Sequence, residues 1–442
     1  MKSVALQNTQ HIYDLVELCA QKGVRKAVVC PGSRCAPLLI GFGKHPIIKT
    51  VSMTDERSAG YVGLGLAQQS GEPVALVCTS GTAAQNFTPA VTEAFYQNVP
   101  LIVLTADRPP EWIDQWDGQT IHQKHLYEPH VKGSFVFEEE TWNVAEEALE
   151  LALCGAPGPV HLNIPIREPF YPDGLDDVKF ATETRRTQSI NNGDIIKEKN
   201  WEELQTELNN AGNVLILSGQ SEPNAELVGL LNQIDIPIVG DIISNLHGVD
   251  NVIKNADLVF KTDGNNLQPN LMITFGRSVI SKNLKLYFRK YKPKTHWHIG
   301  LGIAGDPFQS LTKTVRVDPE YFFGEWLKRE ITFSNQNGYH SILAEVQTKV
   351  DSVLKSKLNE PDFNYFSAVW KVMEAMPENG VLHLGNSMPV RIANIIGLKT
   401  PNVNVWSNRG TSGIDGTVST AVGHALADPK RTHTLIVGDL AF

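Results

Sequence analysis

Several short stretches of this chain place hydroxyls, glycines and arginines directly after an apolar run. Pro31-Gly32-Ser33-Arg34 follows KAVVC. Free N–H groups and the positive end of a helix dipole favour an anion at such a turn, and the Arg34 guanidinium adds a planar fork for carboxylate or phosphate. The same four residues would also serve as a structural turn with an exposed arginine. Thr79-Ser80-Gly81-Thr82 follows PVALVC. It suits a ligand lying against the ends of parallel strands, or it caps a helix. Gly385-Asn386-Ser387 with Arg391, and the run from Ser407 to Gly416 with Arg409, repeat the pattern. Arg34, Arg391 and Arg409 at predicted strand ends suit a substrate with several carboxylates. Taken singly, each would serve equally as a surface ion pair.

Asp55-Glu56-Arg57 opens a predicted helix crowded with Ser58, Ala59, Gly60, Gly63 and Gly65. Acids in a first turn complement the helix dipole without any other role. Glycine inside a helix costs about 1 kcal/mol against alanine, however. Three of them imply close approach of another backbone or a ligand, and a carboxylate buried there is a candidate acid or base.

The elements that must position these groups alternate between strand and helix. Apolar runs at Lys26–Cys30, Pro46–Ser52, Pro73–Cys78, Leu101–Thr105 and Pro159–Ile164 are separated by helical patterns. This implies a parallel α/β sheet with right-handed crossovers. A polar stretch over 176–200 reads as a linker. The pattern resumes at Val214–Ser218, Ile236–Val239, Leu271–Phe275 and Thr295–Ile299, and an amphipathic helix over about 341–358 leads to a third region. There Gly380–Leu384, Val403–Ser407 and His433–Val437 read as strands. GLGLA (Gly63–Ala67) and GHALA (Gly423–Ala427) each precede an apolar strand at equal spacing, and VVCPGSR pairs loosely with LHLGNS. This points to a duplicated α/β unit, although all parallel α/β units share such features. The expected fold class is α/β with doubly wound parallel-sheet domains.

Composition bounds the reading. At roughly 150 residues per domain, 442 residues imply two to four domains. With 42% hydrophobic and 20% charged residues, the chain is neither disordered nor coiled-coil. A net charge of −9 argues against nucleic acid as a partner. No apolar run is long enough to span a bilayer, and the first residues lack the features of a signal peptide. Five cysteines, an odd number with Cys30, Cys78 and Cys154 in apolar runs, argue against a disulfide framework and for a reducing cytoplasm as the expected location. Gly300-Leu301-Gly302-Ile303-Ala304-Gly305 has dinucleotide-loop spacing, but Asp306-Pro307 follows where a helix should run. His122, His125 and His130 lack the spacing of a zinc site.

Taken together, CPGSRCAPL, TDERSAGY, CTSGTAAQNFTPAVTEA, LTADRPPE, GNSMPVR, SNRGTSGIDG and IVGDLAF resemble motifs of thiamine-diphosphate-dependent enzymes. More narrowly, they resemble the 2-succinyl-5-enolpyruvyl-6-hydroxy-3-cyclohexene-1-carboxylate synthases of menaquinone biosynthesis. The resemblance runs over nearly the whole chain in the expected order. It implies a pyrimidine-binding-type domain over 1–180, a central domain without cofactor over 195–345, and the first part of a diphosphate-binding domain over 360–442. It implies thiamine diphosphate and Mg2+ or Mn2+ as cofactors, and 2-oxoglutarate and isochorismate as substrates. It also implies a homodimer or homotetramer with an active site between chains.

The implied reaction decarboxylates 2-oxoglutarate and adds the succinyl semialdehyde–thiamine carbanion to isochorismate. Glu56 matches the glutamate that hydrogen-bonds the aminopyrimidine ring. Ser33, Arg34, Gln119, Ser387, Arg391 and Arg409 match substrate-binding positions. Thr79, Ser80, Gly81, Ser412 and Gly438 fall on cofactor-binding positions, Ile414 on the apolar wedge that bends the cofactor, and Asp439 on the first metal-binding aspartate. Two departures stand out. The family's Lys-Arg pair in the central domain is Lys282-Asn283 here, which leaves Lys282 alone. The asparagine that completes the family's metal site lies beyond Phe442, so these 442 residues by themselves are expected to bind the cofactor poorly and to be inactive. Another thiamine-dependent 2-oxoacid decarboxylase or carboligase, or a non-catalytic metabolite-binding protein, are the rival readings.

Overall fold

Short apolar runs become the strands of three wholly parallel sheets. The structure is a computed structural model, and it describes residues 9–442 apart from 140, 172–177, 181–194, 251, 332–337, 359–361, 399 and 401. The first sheet contains β1 (Lys26–Val29), β2 (Lys49–Ser52), β3 (Val74–Cys78), β4 (Leu101–Asp107), β5 (Ser134–Val136) and β6 (Val160–Pro165), in the order β2-β1-β3-β4-β6-β5. The second contains β7 (Val214–Ser218), β8 (Ile238–Gly240), β9 (Leu271–Phe275), β10 (Thr295–Ile299) and β11 (Lys313–Val315), in the order β11-β10-β9-β7-β8. The third contains β12 (Val381–Leu384), β13 (Asn404–Trp406) and β14 (His433–Ile436), in the order β13-β12-β14. The α/β class expected from the sequence is the class observed.

Helices cover both faces of the first two sheets, which is why their central strands read as apolar runs, whereas the third sheet has one core and its strand β14 is only partly buried. Val29, Val77 and Leu104 face one core of the first sheet, and their neighbours Val28, Leu76 and Val103 face the other. Each fully buried side chain of this kind contributes about 1.5–3 kcal/mol. β8 starts at Ile238 rather than at Ile236, because Pro237 has no N–H for the ladder. β5 and β11 were not expected. Both are three-residue strands at sheet edges, too short to show a period.

By backbone contacts the chain forms two compact units, Met1–Ile190 with Asp415–Lys430, and Asn191–Ile414 with Arg431–Phe442. The second and third sheets belong to one unit. The helix Thr417–Ala427 belongs to the other, where it packs on the helix Glu56–Ser70. Tyr61 Oη donates to Asp415 Oδ2 at 3.0 Å, and His424 is buried between the side chains of Gln68 and Gln69.

The order β2-β1-β3 matches β13-β12-β14, with the first strand of each set in the middle. The connections match as well. Helix Ala36–Lys44 corresponds to Met388–Ile396, and Glu56–Ser70 to Thr417–Ala427. This shared topology agrees with the duplication read from GLGLA and GHALA. No disulfide joins the described cysteines. Cys19, Cys30, Cys35 and Cys78 are buried, whereas Cys154 is exposed where its helix ends, despite its apolar neighbours in sequence. Among the described residues no helix is long and apolar enough to cross a membrane.

Candidate active site

In the first unit, β1 pairs in register with β2 on one side and β3 on the other, so all three end along one edge. The loops Pro31–Arg34, Thr54–Glu56 and Thr79–Thr82 rise from that edge. A side chain at Gly32 would place its Cβ 2.4 Å from Thr79 Cβ, so only glycine lets the first loop lie against the third.

Arg34 is the most telling side chain there. It is 2% exposed, with its guanidinium 4.8 Å from the Phe170 ring and 5.5 Å from the Trp112 ring. Nη1 donates to the Ile166 carbonyl, while Nε and Nη2 have no partner. A buried guanidinium with idle donors is costly unless an anion completes it. Ser33, beside it, is exposed.

Glu56 is the first residue of its helix. Asp55 caps that helix by accepting from the Ser58 N–H at 3.2 Å, and Gly71 ends it in a left-handed conformation. The Ser58 hydroxyl, which also donates to Asp55, holds the Asp55 carboxyl below its ordinary range. Glu56 is half-buried, and no group among the described residues hydrogen-bonds its carboxylate. Burial, aided by the Glu56 charge, pushes the Cys30 thiol up to about 12. That thiol is therefore no nucleophile at neutral pH.

Thr79, Ser80 and Gly81 are buried, and Ser80 Oγ has no partner. A network that the sequence did not disclose fixes their loop. The Gly81 N–H donates to Gln123 Oε1 at 3.1 Å. Gln123 Nε2 donates to Asn163 Oδ1 at 2.8 Å, and Asn163 Nδ2 donates to Asp107 Oδ2 at 2.7 Å. Burial raises the Asp107 carboxyl above its ordinary range. The next residue, Arg108, donates from Nε and Nη2 to the Gly118 carbonyl at 3.0 and 2.7 Å. It thereby sets Gln119, with φ of 59°, beside Gly81, whose would-be Cβ lies 3.3 Å from Gln119 Cα. LTADRPPE is thus a positioning motif for the third loop and Gln119.

In the second unit, Asn386 organises the groups around the end of β12. Its Nδ2 donates to the carbonyls of Asn408 and Gly413, each at 2.6 Å, and its Oδ1 accepts from Arg409 Nη1 at 2.9 Å. Ser407 Oγ donates to the Leu384 carbonyl at 2.7 Å. Ser387 (φ 72°) and Ser412 (φ 62°) hold positive φ angles that cost a non-glycine residue about 1–3 kcal/mol, a strain found at functional sites. Arg391 is exposed one turn after Ser387, and Ile414 is 40% exposed. β14 adjoins β12 and delivers Gly438 and Asp439 at its end, with Asp439 exposed. Lys282 is exposed. Its neighbour Asn283 is tied to Asp257 through its backbone N–H and its Nδ2, both at 2.8 Å. Lys285, overlooked in the sequence, is the half-buried cation of that helix.

These groups fit thiamine diphosphate and a magnesium-type ion. The idle Glu56 carboxylate and the orphaned Ser80 hydroxyl suit an aminopyrimidine ring. No cluster of three or more His, Cys, Asp or Glu side chains that could hold a metal occurs among the described residues, so Asp439 does not belong to a ready-made protein cage. Magnesium is commonly held by one or two carboxylates together with phosphate oxygens and water, so a single aspartate such as Asp439 would suit it once a diphosphate supplied the other oxygens.

Comparison with known proteins agrees. Residues 13–126 match the family model described as thiamine pyrophosphate enzyme, N-terminal TPP binding domain. The chain is 40% identical to the 2-succinyl-5-enolpyruvyl-6-hydroxy-3-cyclohexene-1-carboxylate synthase of Cytophaga hutchinsonii, over 98% of this chain and 79% of that protein. It is 37% identical to the synthase of Flavobacterium psychrophilum, over 97% of this chain and 78% of that protein. For the synthase of Bacteroides thetaiotaomicron the identity is 35%, over 98% of this chain and 78% of that protein. Sheet topology, loop chemistry and these likenesses define a thiamine-diphosphate-dependent enzyme. Within that class, the chain belongs to the 2-succinyl-5-enolpyruvyl-6-hydroxy-3-cyclohexene-1-carboxylate synthase family.

Proposed function

We propose that this chain serves the carboligation in which 2-oxoglutarate loses CO2 and its remaining four-carbon unit joins isochorismate. The product is 2-succinyl-5-enolpyruvyl-6-hydroxy-3-cyclohexene-1-carboxylate, on the route to menaquinone. The observation that carries this reading is Arg34, a buried cation with two idle nitrogens and no carboxylate partner among the described residues. It suits a substrate that brings its own carboxylate. Arg391 and Arg409 add positive charge for substrates with two carboxylates each.

Thiamine diphosphate, when bound, supplies the electron sink for decarboxylation. Glu56 would hold its aminopyrimidine ring through the carboxylate that opens the Glu56–Ser70 helix. Thr79, Ser80 and Gly81, together with Ser412, Ile414 and Gly438, would line the cofactor, and Asp439 would give one oxygen ligand to Mg2+ or Mn2+. Ser33, Arg34, Gln119, Lys282, Ser387, Arg391 and Arg409 would orient the substrates through their carboxylates and hydroxyls. The buried walls around Arg34 would exclude water from that contact. We place the enzyme in the cytoplasm as a homodimer or homotetramer.

In a full-length version of the protein, turnover of 2-oxoglutarate with isochorismate should require both thiamine diphosphate and a divalent metal. Pyruvate should be a far poorer donor than 2-oxoglutarate. Product formation that survives complete removal of the cofactor would end this reading. Preference for pyruvate would transfer the chain to a different 2-oxoacid carboligase.

A further inference from the structure

We propose that Trp112 and Phe170 are positioning residues of Arg34. They form an aromatic cover, latched by the ion pair between Arg167 and Glu111, that must part before a carboxylate can reach the guanidinium. The inference rests on the functional reading above, which makes Arg34 a carboxylate ligand, and adds how access to that ligand is controlled.

The guanidinium is fixed so that one edge stays idle. Nη1 donates to the Ile166 carbonyl, and the guanidinium carbon lies 4.8 Å from the centre of the Phe170 ring and 5.5 Å from that of Trp112. Contacts of this kind hold a guanidinium in place without using its N–H groups. Nε and Nη2 have no hydrogen-bond partner. In arginine, the Nε–H and one N–H of Nη2 run parallel along the same edge of the plane, a spacing that matches the two oxygens of a carboxylate. Tying down Nη1 therefore leaves this edge as the recognition fork.

The fork is shut. Arg34 is 2% exposed, and both idle nitrogens are sealed from solvent. No ligand can meet them until a covering group moves. Ile166 is scaffold: it directly follows β6, is buried, and donates its N–H to the Asp107 carbonyl at 3.1 Å. The two rings are half-buried side chains on surface loops. Trp112 ends the single turn Pro110–Trp112, and Phe170 lies beyond the end of β6. The residues beside them join these loops. Glu111 precedes Trp112, Arg167 follows Ile166, and Arg167 Nη1 and Nη2 donate to the two Glu111 oxygens, Nη2 at 2.8 Å. Both partners are about half exposed, with side-chain exposures of 51% and 52%. Such a pair is weak and screened by salt, which suits a latch that opens repeatedly.

The readout is chemical access to Arg34 in a full-length version of the protein. Phenylglyoxal, an uncharged arginine reagent, should modify Arg34 at least about tenfold more slowly than the exposed Arg57, as followed by peptide mass spectrometry at low ionic strength. About 0.5 M NaCl should speed modification of Arg34 relative to Arg57 by about two- to fivefold, the range that loss of an exposed ion pair allows. Glu111→Gln should reach that faster rate without added salt and lose the salt response. Phe170→Ala should raise the rate at least about tenfold, whereas Phe170→Tyr, which keeps a ring, should stay within about threefold of wild type. Should Phe170→Ala fail to fold, the surface variant Glu111→Gln and the salt series carry the same test. Wild-type Arg34 modified as fast as Arg57 would overturn the cover. A rate indifferent to Glu111→Gln would overturn the latch, and one indifferent to a folded Phe170→Ala would overturn the role of the ring. Modification needs no turnover, so failure of the functional reading shows separately, as absence of 2-oxoglutarate turnover in wild type.

Discussion

Gly65 and Gly423 exchange contacts across one helix crossing. A Cβ on Gly65 would lie 2.1 Å from the Thr420 carbonyl oxygen, and a Cβ on Gly423 would lie 2.2 Å from the Val62 carbonyl oxygen. Each glycine therefore makes room for the backbone of the other helix. Because the two helices are equivalent members of the repeated topology, the crossing is close to self-complementary. It also fixes the direction of the helix that Glu56 opens.

Gly65→Ala should destabilise the first unit by about 1–3 kcal/mol, since backbone cannot yield as a side chain can. Gly229 sits in the helix Ala225–Leu231 with open space where its Cβ would be. Gly229→Ala should stabilise by about 0.4–1 kcal/mol. Thermal melts of the two variants distinguish packing from helix propensity, and a neutral Gly65→Ala would contradict the close crossing.

Arg34→Met should separate function from stability. The variant removes a buried charge that lacks an anionic partner, a change that is often neutral or stabilising. The melting temperature should stay within about 3 °C of wild type or rise. KM for a carboxylate substrate should increase more than tenfold, corresponding to about 1.4 kcal/mol or more of lost binding. A large fall in melting temperature with unchanged KM would assign Arg34 to the scaffold.

Glu56→Gln should lower kcat by about 10²–10⁴, the range for a positioned proton-transfer group. No described residue hydrogen-bonds that carboxylate, so circular dichroism and the melting curve should match wild type. Near-normal kcat would remove Glu56 from the reaction.

Stability should fall in acid because buried histidines are held neutral. Burial lowers His161 to about 3, with a smaller push from the charge of His125. Burial, and next the charge of His433, lowers His383 to about 3. His296 is lowered to about 4, again chiefly by burial. A depressed histidine pKa means that the unfolded chain binds the extra proton first. The stabilisation is complete above the unfolded value near 6.5 and is lost as pH falls toward 3 or 4, by up to about 1.4 kcal/mol per pH unit per histidine. Melting temperatures measured from pH 7 to pH 5 should drop steadily. His161→Gln should flatten that slope, and an unchanged slope would exclude His161 as a contributor.

Sequence alone determined the class of fold and the edges where chemistry could occur. Runs such as PVALVC and LIVLT are long enough and apolar enough to be strands buried on both faces. Glycine, hydroxyl and arginine residues directly after them mark the strand ends. The glycines of the Glu56 helix signalled a close contact, because their local cost needs an outside reason. What occupies that contact was not legible, since Gly423 lies far along the chain.

Tertiary structure decided the rest. Gln123, Asn163 and Asp107 are ordinary polar residues until hydrogen bonds join them behind Gly81, and Arg108 gains its role from the Gly118 carbonyl that it holds. Asn386 likewise acquires meaning from partners brought in by folding. The physical reason is one of range. Strand and helix signals arise from neighbours within a few residues, so a sequence displays them directly. A buried polar group depends on which distant donor or acceptor reaches it after packing, and packing alone decides whether that group is satisfied, strained or left open for a substrate.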